Sequence, residues 1–224
     1  VACADELEKL LTDVGPQSVA AFIFEPVVGA TLGAVAPPDG YLQRIAEIAR
    51  RHGILLIADE VMTGMGRTGK HFAVEHWDIT PDLILVGKGV ASGYAPLGAV
   101  IVAPHVAEAI QNGSGAFEHG FTYQAHPVAV AAGLAVLDYI EQHRLFDRVA
   151  PAGRELLAAL EPLRSYPNVG DIRGLGLLLG IEFVQDRATR EPFLRSAGFA
   201  ERVRQAAMEE GVTTYPIQGC ADGE

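Results

Sequence analysis

The spacing of apolar residues predicts helices alternating with short strands over the first two thirds of the chain. Residues 41–52 form the clearest helical pattern, with apolar residues recurring from Leu42 to Ala49 and Gly53 at the expected C-terminal cap. Residues 4–12 and 127–142 also follow a helical pattern. Continuous apolar runs that predict buried strands lie at residues 19–24, 54–58, 83–86 and 97–102. This alternation predicts an α/β fold with a mostly parallel sheet and helices on both faces.

The pattern changes near residue 145. Residues 145–163 form a more charged amphipathic helical pattern, residues 171–184 read as a turn and a strand, and residues 199–210 as a further helix. We therefore expect a domain boundary here, with residues 1–144 in one domain and residues 145–224 in a second, smaller α/β domain.

Composition narrows the functional class. Of the 224 residues, 49% are hydrophobic and 20% are charged, which is typical of a globular chain with a sizeable core. Acids outnumber bases 28 to 17, the opposite of the balance expected for a nucleic-acid-binding domain. Uncharged stretches are interrupted by glycine and proline, so we expect no membrane segment. Two cysteines, Cys3 and Cys220, predict plain thiols in a cytoplasmic protein.

Both ends of the sequence are unusual for a complete protein. The chain opens on Val1 without an initiator methionine and closes on a loop-like tail. We expect a piece of a longer protein.

Three ionisable residues follow predicted strands. Glu25 follows the run at residues 19–24, Asp59 follows residues 54–58, and Lys88 follows residues 83–86 between two glycines. Ligands of open α/β sheets bind beyond the carboxyl ends of the strands, so these side chains predict a site. The apolar neighbours of Lys88 predict a desolvated amine, which suits imine chemistry. Taken singly, each residue could instead be a strand end that faces water.

A glycine-rich segment offers a different interpretation. The sequence GMGRTG at residues 64–69 fits the pattern of a nicotinamide-dinucleotide fingerprint. However, four residues separate it from the preceding strand, and no obvious helix follows it, so we disfavour this alternative. His71 and His76 lack a third ligand at metal spacing, and we expect no metal site.

Five segments, in order along the chain, carry a family resemblance. They are FEPVVG at 24–29; LIADEV at 56–61 with GRTG at 66–69; DLILVGKG at 82–89 with GY at 93–94 and PLGA at 96–99; HGFTY at 119–123 with Pro127; and RGLG at 173–176. Together they resemble the class III aminotransferases, which have fold type I and depend on pyridoxal 5'-phosphate (PLP). The resemblance covers nearly the whole chain.

The resemblance implies a role for each site residue. Lys88 would form the internal aldimine with PLP and then carry a proton between the substrate Cα and C4′. Asp59 would pair with the pyridine nitrogen, which keeps the ring an electron sink. Val61 would pack on the ring face, and Glu25 would lie near the floor of the site. Thr122 would bind the phosphate, typically from the neighbouring subunit.

Two arginines have structural roles in this interpretation. We expect Arg67 to organise its loop, and Arg173 to fix the turn before the strand at Leu177.

The resemblance also implies the reaction and its partners. We expect an aminotransferase that moves an amino group from an amine or ω-amino acid to a 2-oxo acid, in a homodimer with the active site at the subunit interface. Residues 1–144 would be part of the large PLP-binding domain, and residues 145–224 part of the small domain. Ala30 and Met62 replace residues that ornithine-type members tend to have, which favours the ω-amino-acid and amine transaminase branch.

Alternatives stay open. A decarboxylase or an aminomutase can use the same scaffold. The family's phosphate-binding glycine/serine loop and its ring-stacking aromatic would precede Val1, and its carboxylate-binding arginine would follow Glu224. A chain without them could also be a non-catalytic fragment that only associates with a partner chain.

Overall fold

The computed structural model describes residues 2–217. Its α-helices are α1 (Ala2–Val14), α2 (Tyr41–His52), α3 (Pro104–Asn112), α4 (Pro127–Gln142), α5 (Leu145–Leu160) and α6 (Phe199–Glu209). Its strands are β1 (Ala21–Phe24), β2 (Leu55–Asp59), β3 (Leu83–Val86), β4 (Ala99–Val102), β5 (Val169–Leu175) and β6 (Leu178–Phe183). Apart from residues 171–184, the predicted helices and strands are confirmed within a few residues, and α3 is an additional helix that the sequence did not predict.

The described residues form two compact units. The first unit contains the residues up to Pro26 and Pro37–Arg148, and the second contains Val27–Ala36 and the residues from Val149 onward. Residues 27–36 therefore cluster with the second unit, whereas the sequence analysis grouped them with the first domain. The assignment of residues 1–144 and 145–224 to a large and a small domain stays a prediction. The plain thiol predicted at Cys220 also stays a prediction, because this residue lies outside the described residues.

The first unit is built on a four-stranded sheet in the order β1-β2-β3-β4. Strands β1, β2 and β3 run parallel, and β4 runs antiparallel to β3. The register pairs Phe24 with Ala58 and Asp59 with Leu85. This register places the carboxyl ends of β1, β2 and β3 side by side at one edge of the sheet.

The main core of this unit lies between α1, α2 and the sheet. The apolar face of α2 is buried, as its periodicity predicts, and it ends at Gly53, whose φ of 66° is left-handed. The buried side chains of this core include Leu11, Leu42, Ile45, Ile48, Leu56 and Val74. Burial of this many aliphatic groups stabilises the sheet, since each contributes about 1.5–3 kcal/mol. The strand ends are thus mounted on a packed support.

Two other apolar segments of the first unit are exposed. All four residues of β4 are exposed, so the expectation of burial on both faces is wrong for this strand within the described chain. Helix α4 is similar, with Val128 at 68% and Leu134 at 58% exposure. An apolar run predicts that a strand forms, but its burial depends on neighbours that the run itself does not encode.

The second unit contains an antiparallel hairpin of β5 and β6. The sequence pattern predicts a turn and one strand here, which is wrong because the segment forms two strands. Arg173 on β5 donates from Nε to the carbonyl oxygen of Gly33 (3.0 Å) and from Nη2 to that of Leu32 (2.6 Å). Arg173 therefore has a structural role, but it holds residues 32–33, and the prediction that it fixes the turn before β6 is wrong.

Across residues 2–217, every helix is too short or too polar to cross a lipid bilayer. No group of three or more potential metal-ligating side chains comes together in the same part of the chain.

Candidate active site

Three ionisable residues meet at the carboxyl edge of the parallel strands. Glu25 follows β1, Asp59 is the last residue of β2, and Lys88 stands two residues beyond β3. Because these strands are neighbours in register, the structure brings Glu25, Asp59 and Lys88 to the same edge. The sequence predicted this gathering from the strand pattern alone; the chemical role of each residue stays a prediction.

Lys88 begins a short 3₁₀ turn, Lys88–Ala91. Its φ of +39° is left-handed, a conformation that costs a non-glycine residue about 1–3 kcal/mol. The side chain is exposed, so the expectation of a desolvated amine is wrong within the described residues. The buried part of the strand ends at Val86, and Lys88 has already passed beyond the sheet. A strained backbone therefore presents a primary amine at the edge of the sheet.

The two glycines beside Lys88 lie against the turn that follows β2. A β-carbon on Gly87 would stand 3.4 Å from Val61 Cγ1, and one on Gly89 would stand 3.2 Å from Met65 Cβ. The segment from Val61 to Met65 thus packs along both sides of the lysine turn. Glycine on each side of Lys88 permits this close approach.

Asp59 is half-buried, and its carboxylate is oriented by a local hydrogen bond. Oδ1 accepts from the backbone N–H of Val61 at 3.0 Å. Oδ2 accepts no hydrogen bond within residues 2–217, which leaves one carboxylate oxygen for an external donor. A carboxylate with one fixed and one available oxygen, an aliphatic side chain at Val61 and an amine just beyond the next strand fit a PLP ring, whose protonated nitrogen is a donor.

Helix α4 supports the lysine turn from another direction. A β-carbon on Gly133 would stand 2.6 Å from Leu97 Cδ2 and 3.5 Å from the carbonyl oxygen of Val90. The absence of a side chain at Gly133 lets α4 lie directly on the Lys88–Ala91 turn. The site is therefore held by the sheet, the turn after β2 and α4.

Thr122 lies in an exposed turn just before α4. In the described chain, no hydrogen bond joins Thr122 to Glu25, Asp59 or Lys88. The structure therefore groups four of the five predicted site residues at the strand ends, whereas Thr122 comes from the turn before α4. Its assignment to the phosphate of a neighbouring subunit stays a prediction.

Glu60 is a site residue to which sequence reasoning gave no role. Its side chain is only 1% exposed. Oε2 accepts from the hydroxyl of Thr63 at 2.5 Å, and Oε1 accepts from the backbone N–H of Val74 at 2.9 Å. The sequence feature that could have indicated this role is a second acid, Glu60, directly after the strand, followed three residues later by Thr63. Glu60 therefore ties this loop together through its hydrogen bonds. Arg67 is exposed, and its role as an organiser of the loop stays a prediction.

The glycine-rich segment at residues 64–69 has a structural explanation. It lies in consecutive turns and leads to a short 3₁₀ helix, Ala73–Trp77, rather than opening an α-helix. A β-carbon on Gly64 would stand 2.8 Å from the carbonyl oxygen of Glu60. A dinucleotide fingerprint needs a helix N-terminus directly after the glycines, so this arrangement contradicts the nicotinamide alternative.

Known proteins share this sequence and architecture. The model of the family "Aminotransferase class-III" matches residues 1–219. The uncharacterized aminotransferase YodT of Bacillus subtilis is 42% identical over 220 residues, covering 98% of this chain and 50% of the relative. A diaminobutyrate–2-oxoglutarate transaminase of Halomonas elongata is 42% identical over 212 residues, covering 93% and 45%. The chain spans about half the length of the curated relatives it matches.

Solved structures agree with the sequence matches. An amine transaminase from an uncultivated Pseudomonas species, in its PLP-bound form, superposes with a TM-score of 0.93 at 43% identity, covering 96% of this chain and 49% of that one. An (S)-enantioselective ω-transaminase from Thermomicrobium roseum gives 0.89 at 42% identity, covering 98% and 48%. The predicted fold class, a fold type I α/β architecture, is confirmed by these neighbours.

Proposed function

The chain belongs to the class III aminotransferases, and we propose that the whole protein moves an amino group from an amine or ω-amino acid to a 2-oxo acid. The family uses PLP as its cofactor. The observation that carries the proposal is that an exposed amine, Lys88, and a half-buried carboxylate, Asp59, lie at the ends of adjacent strands. This pair supplies one group that can hold a carbonyl compound and one that can hold a protonated ring nitrogen.

Asp59 is proposed to hold and orient the cofactor ring. When bound, PLP withdraws electrons from the substrate carbon that carries the amino group. The N–H of Val61 donates to Oδ1 of Asp59, which restrains rotation of the carboxylate, and Oδ2 would accept from the ring nitrogen. The negative charge of Asp59 would keep a proton on that nitrogen.

Lys88 is proposed as both the covalent anchor and the proton carrier. Its Nζ would hold the cofactor at rest and, once freed from it, would be the group that takes and returns the proton at the substrate carbon. Exposure of the amine suits both tasks, since the same group must meet the cofactor first and the substrate afterwards.

The remaining site residues complete the proposal. Val61, which is fixed against Gly87, would cover one face of the ring. Glu25 would lie at the floor of the site, at the end of β1. Thr122 would bind the phosphate in a second copy of the chain, which makes the active protein a homodimer with the site at its interface. Residues 1–144 and 145–224 would belong to the large and small domains, respectively.

The substrate class is proposed to be an amine or an ω-amino acid. Ala30 and Met62 depart from the pattern expected of ornithine-type members. Solved neighbours that support this choice are described as ω-transaminases and amine transaminases. A cytoplasmic location is also part of the proposal and rests on composition.

Covalent trapping tests the cofactor site directly. The full-length protein is incubated with PLP, reduced with borohydride and mapped by peptide mass. Within this chain the candidate lysines are Lys9, Lys70 and Lys88, and the peptide map distinguishes them from one another and from lysines elsewhere in the full-length protein. We expect the adduct on Lys88, its loss in Lys88→Ala and its retention in Lys70→Ala, where another exposed lysine is removed. An adduct on Lys70, or none on the full-length protein, would refute the site.

Substrate assays then separate this reaction from its alternatives. Full-length protein loaded with PLP, but not reduced, is supplied with an ω-amino acid and pyruvate or 2-oxoglutarate, and the products are identified. Transfer of the amino group to the oxo acid supports an aminotransferase. Release of carbon dioxide would indicate a decarboxylase, and an isomeric amino acid an aminomutase. A PLP-binding protein without any of these products would support the non-catalytic alternative.

A further inference from the structure

The side chain of Glu60 is a buried, fully hydrogen-bonded carboxylate to which the proposed function gives no role. It directly follows Asp59, is 1% exposed, and both of its oxygens accept hydrogen bonds. A buried acid is costly unless such partners satisfy it. The question is what its two hydrogen bonds hold in place.

The hydrogen bonds of Glu60 connect segments on both sides of its loop. Oε2 accepts from Thr63, three residues later in the turn, and Oε1 accepts from the N–H of Val74, beyond the glycine-rich segment. The backbone of Glu60 is also tied, because its N–H donates to the carbonyl oxygen of Leu85 on β3 at 3.0 Å and its carbonyl accepts from the N–H of Gly64 at 2.9 Å. One residue thus connects β3, the turn and the following 3₁₀ helix.

The turn that Glu60 closes is the one that packs on the lysine turn. Val61 meets Gly87 and Met65 meets Gly89, the two neighbours of Lys88. Lys88 itself has a left-handed φ of +39°, which needs support from its surroundings. We infer that Glu60 is a positioning residue: by holding the 61–65 turn, it fixes the Lys88 turn and the Asp59–Val61 hydrogen bond in the geometry that binds PLP. This inference rests on the proposed function.

The structure offers matched variants. Glu60→Gln keeps the shape and both hydrogen bonds, because the amide oxygen accepts from Val74 and the amide nitrogen donates to the Thr63 hydroxyl. Glu60→Ala removes both. Thr63→Val removes one bond, and Thr68→Val is its control, since Thr68 is equally buried in the same loop but is bonded to His76.

The first readout uses the protein without PLP. Hydrogen–deuterium exchange is followed at the amides of Val90 and Ser92, which donate within the lysine turn to Gly87 and Gly89. In Glu60→Ala and Thr63→Val we expect faster exchange here, by about tenfold in the first, with α2 unchanged as an internal reference. Glu60→Gln and Thr68→Val should leave these amides unchanged. Equally faster exchange in α2 and in the lysine turn would show that Glu60 only stabilises the fold as a whole, which would overturn the inference.

The second readout is the affinity for PLP, measured by visible absorbance with the full-length protein. We expect the PLP dissociation constant to rise about tenfold or more in Glu60→Ala, by a few fold in Thr63→Val, and to be restored in Glu60→Gln. If Glu60→Ala does not fold, Thr63→Val against Thr68→Val decides. If the wild-type protein binds PLP at Lys88 and Thr63→Val binds it with unchanged affinity, the inference is overturned while the proposed function stands. A wild-type protein that does not bind PLP overturns the proposed function and the inference with it.

Discussion

The ring of Phe146 lies where a side chain on Gly66 would have to stand. A β-carbon built on Gly66 would be 2.1 Å from Phe146 Cε1, far closer than any real contact. Gly66 also has a φ of 88°. The ring of Phe146 further packs edge-on against His71, with ring centroids 4.8 Å apart. The glycine-rich loop is therefore shaped to receive the start of α5.

Gly66→Ala should destabilise the protein much more than Gly93→Ala. Both glycines have left-handed φ values, of 88° and 78°, so a methyl group strains both by about 1–2 kcal/mol. Only Gly66 adds a clash, worth about a further 1–3 kcal/mol, because nothing lies within 4 Å of the Gly93 position. Urea unfolding of the two variants measures the difference. Equal losses of stability would contradict this packing.

Lys88→Gly should be more stable than Lys88→Ala. The φ of +39° is unfavourable for alanine and accessible to glycine, whereas glycine loses more chain entropy on folding. We expect a net difference of about 0.5–1 kcal/mol in the free energy of unfolding. Thermal unfolding without PLP checks this, and neither variant should acquire the visible absorbance of bound PLP. A less stable Lys88→Gly would show that the left-handed backbone is not strained.

The sequence predicts elements well where burial is decided locally. The repeat in residues 41–52 predicts α2 to its exact ends, because one face of a helix packs on one sheet. Helix α3 was missed even though Pro104 stands in its first turn, because it carries no repeat of buried residues. The β5–β6 hairpin was read as one strand, since Gly174 and Gly176 interrupt the apolar alternation that marks a second strand.

The candidate site also has features that the sequence predicts and features that it does not. Glu25, Asp59 and Lys88 could be placed together because parallel strands end at a common edge. The function of Glu60 could not, since successive residues of a strand point to opposite sides, and the sequence does not say which of two adjacent acids is enclosed. Its enclosure depends on Val74, fourteen residues later. The exposure of Lys88 could not be predicted either, because it depends on where the sheet ends.

Asp59→Asn should retain PLP but transfer amino groups about a hundredfold more slowly or worse. The amide can still accept from the N–H of Val61, so the local structure is kept. It lacks the charge that keeps a proton on the ring nitrogen, so the electron sink is weakened where charge develops. Single-turnover kinetics with PLP-loaded protein measures the step. Near-normal rates would remove Asp59 from its proposed role.

Acid should weaken the contact between α1 and α2 through Glu8. A hydrogen bond from His52 at 2.8 Å, aided by the positive charge of Arg51, holds the pKa of Glu8 below its ordinary value of 4.5. A carboxyl whose pKa is lowered by folding stabilises the fold above its unfolded pKa, and this contribution disappears as the pH falls through the folded pKa. The pKa values of Asp5 and Glu47, beside Arg44, are lowered too and act in the same direction.

Glu8→Gln should therefore lower the melting temperature at pH 7 and flatten its fall between pH 5 and pH 3. Wild type and variant should converge once the pH has fallen below the lowered pKa of Glu8, because wild-type Glu8 is then protonated. Glu6→Gln is the control, since Glu6 lies on the same helix and, among residues 2–217, pairs only with the exposed Lys9. Melting curves at several pH values decide the point. Parallel curves for wild type and Glu8→Gln would show that Glu8 does not link the two helices in a pH-dependent way.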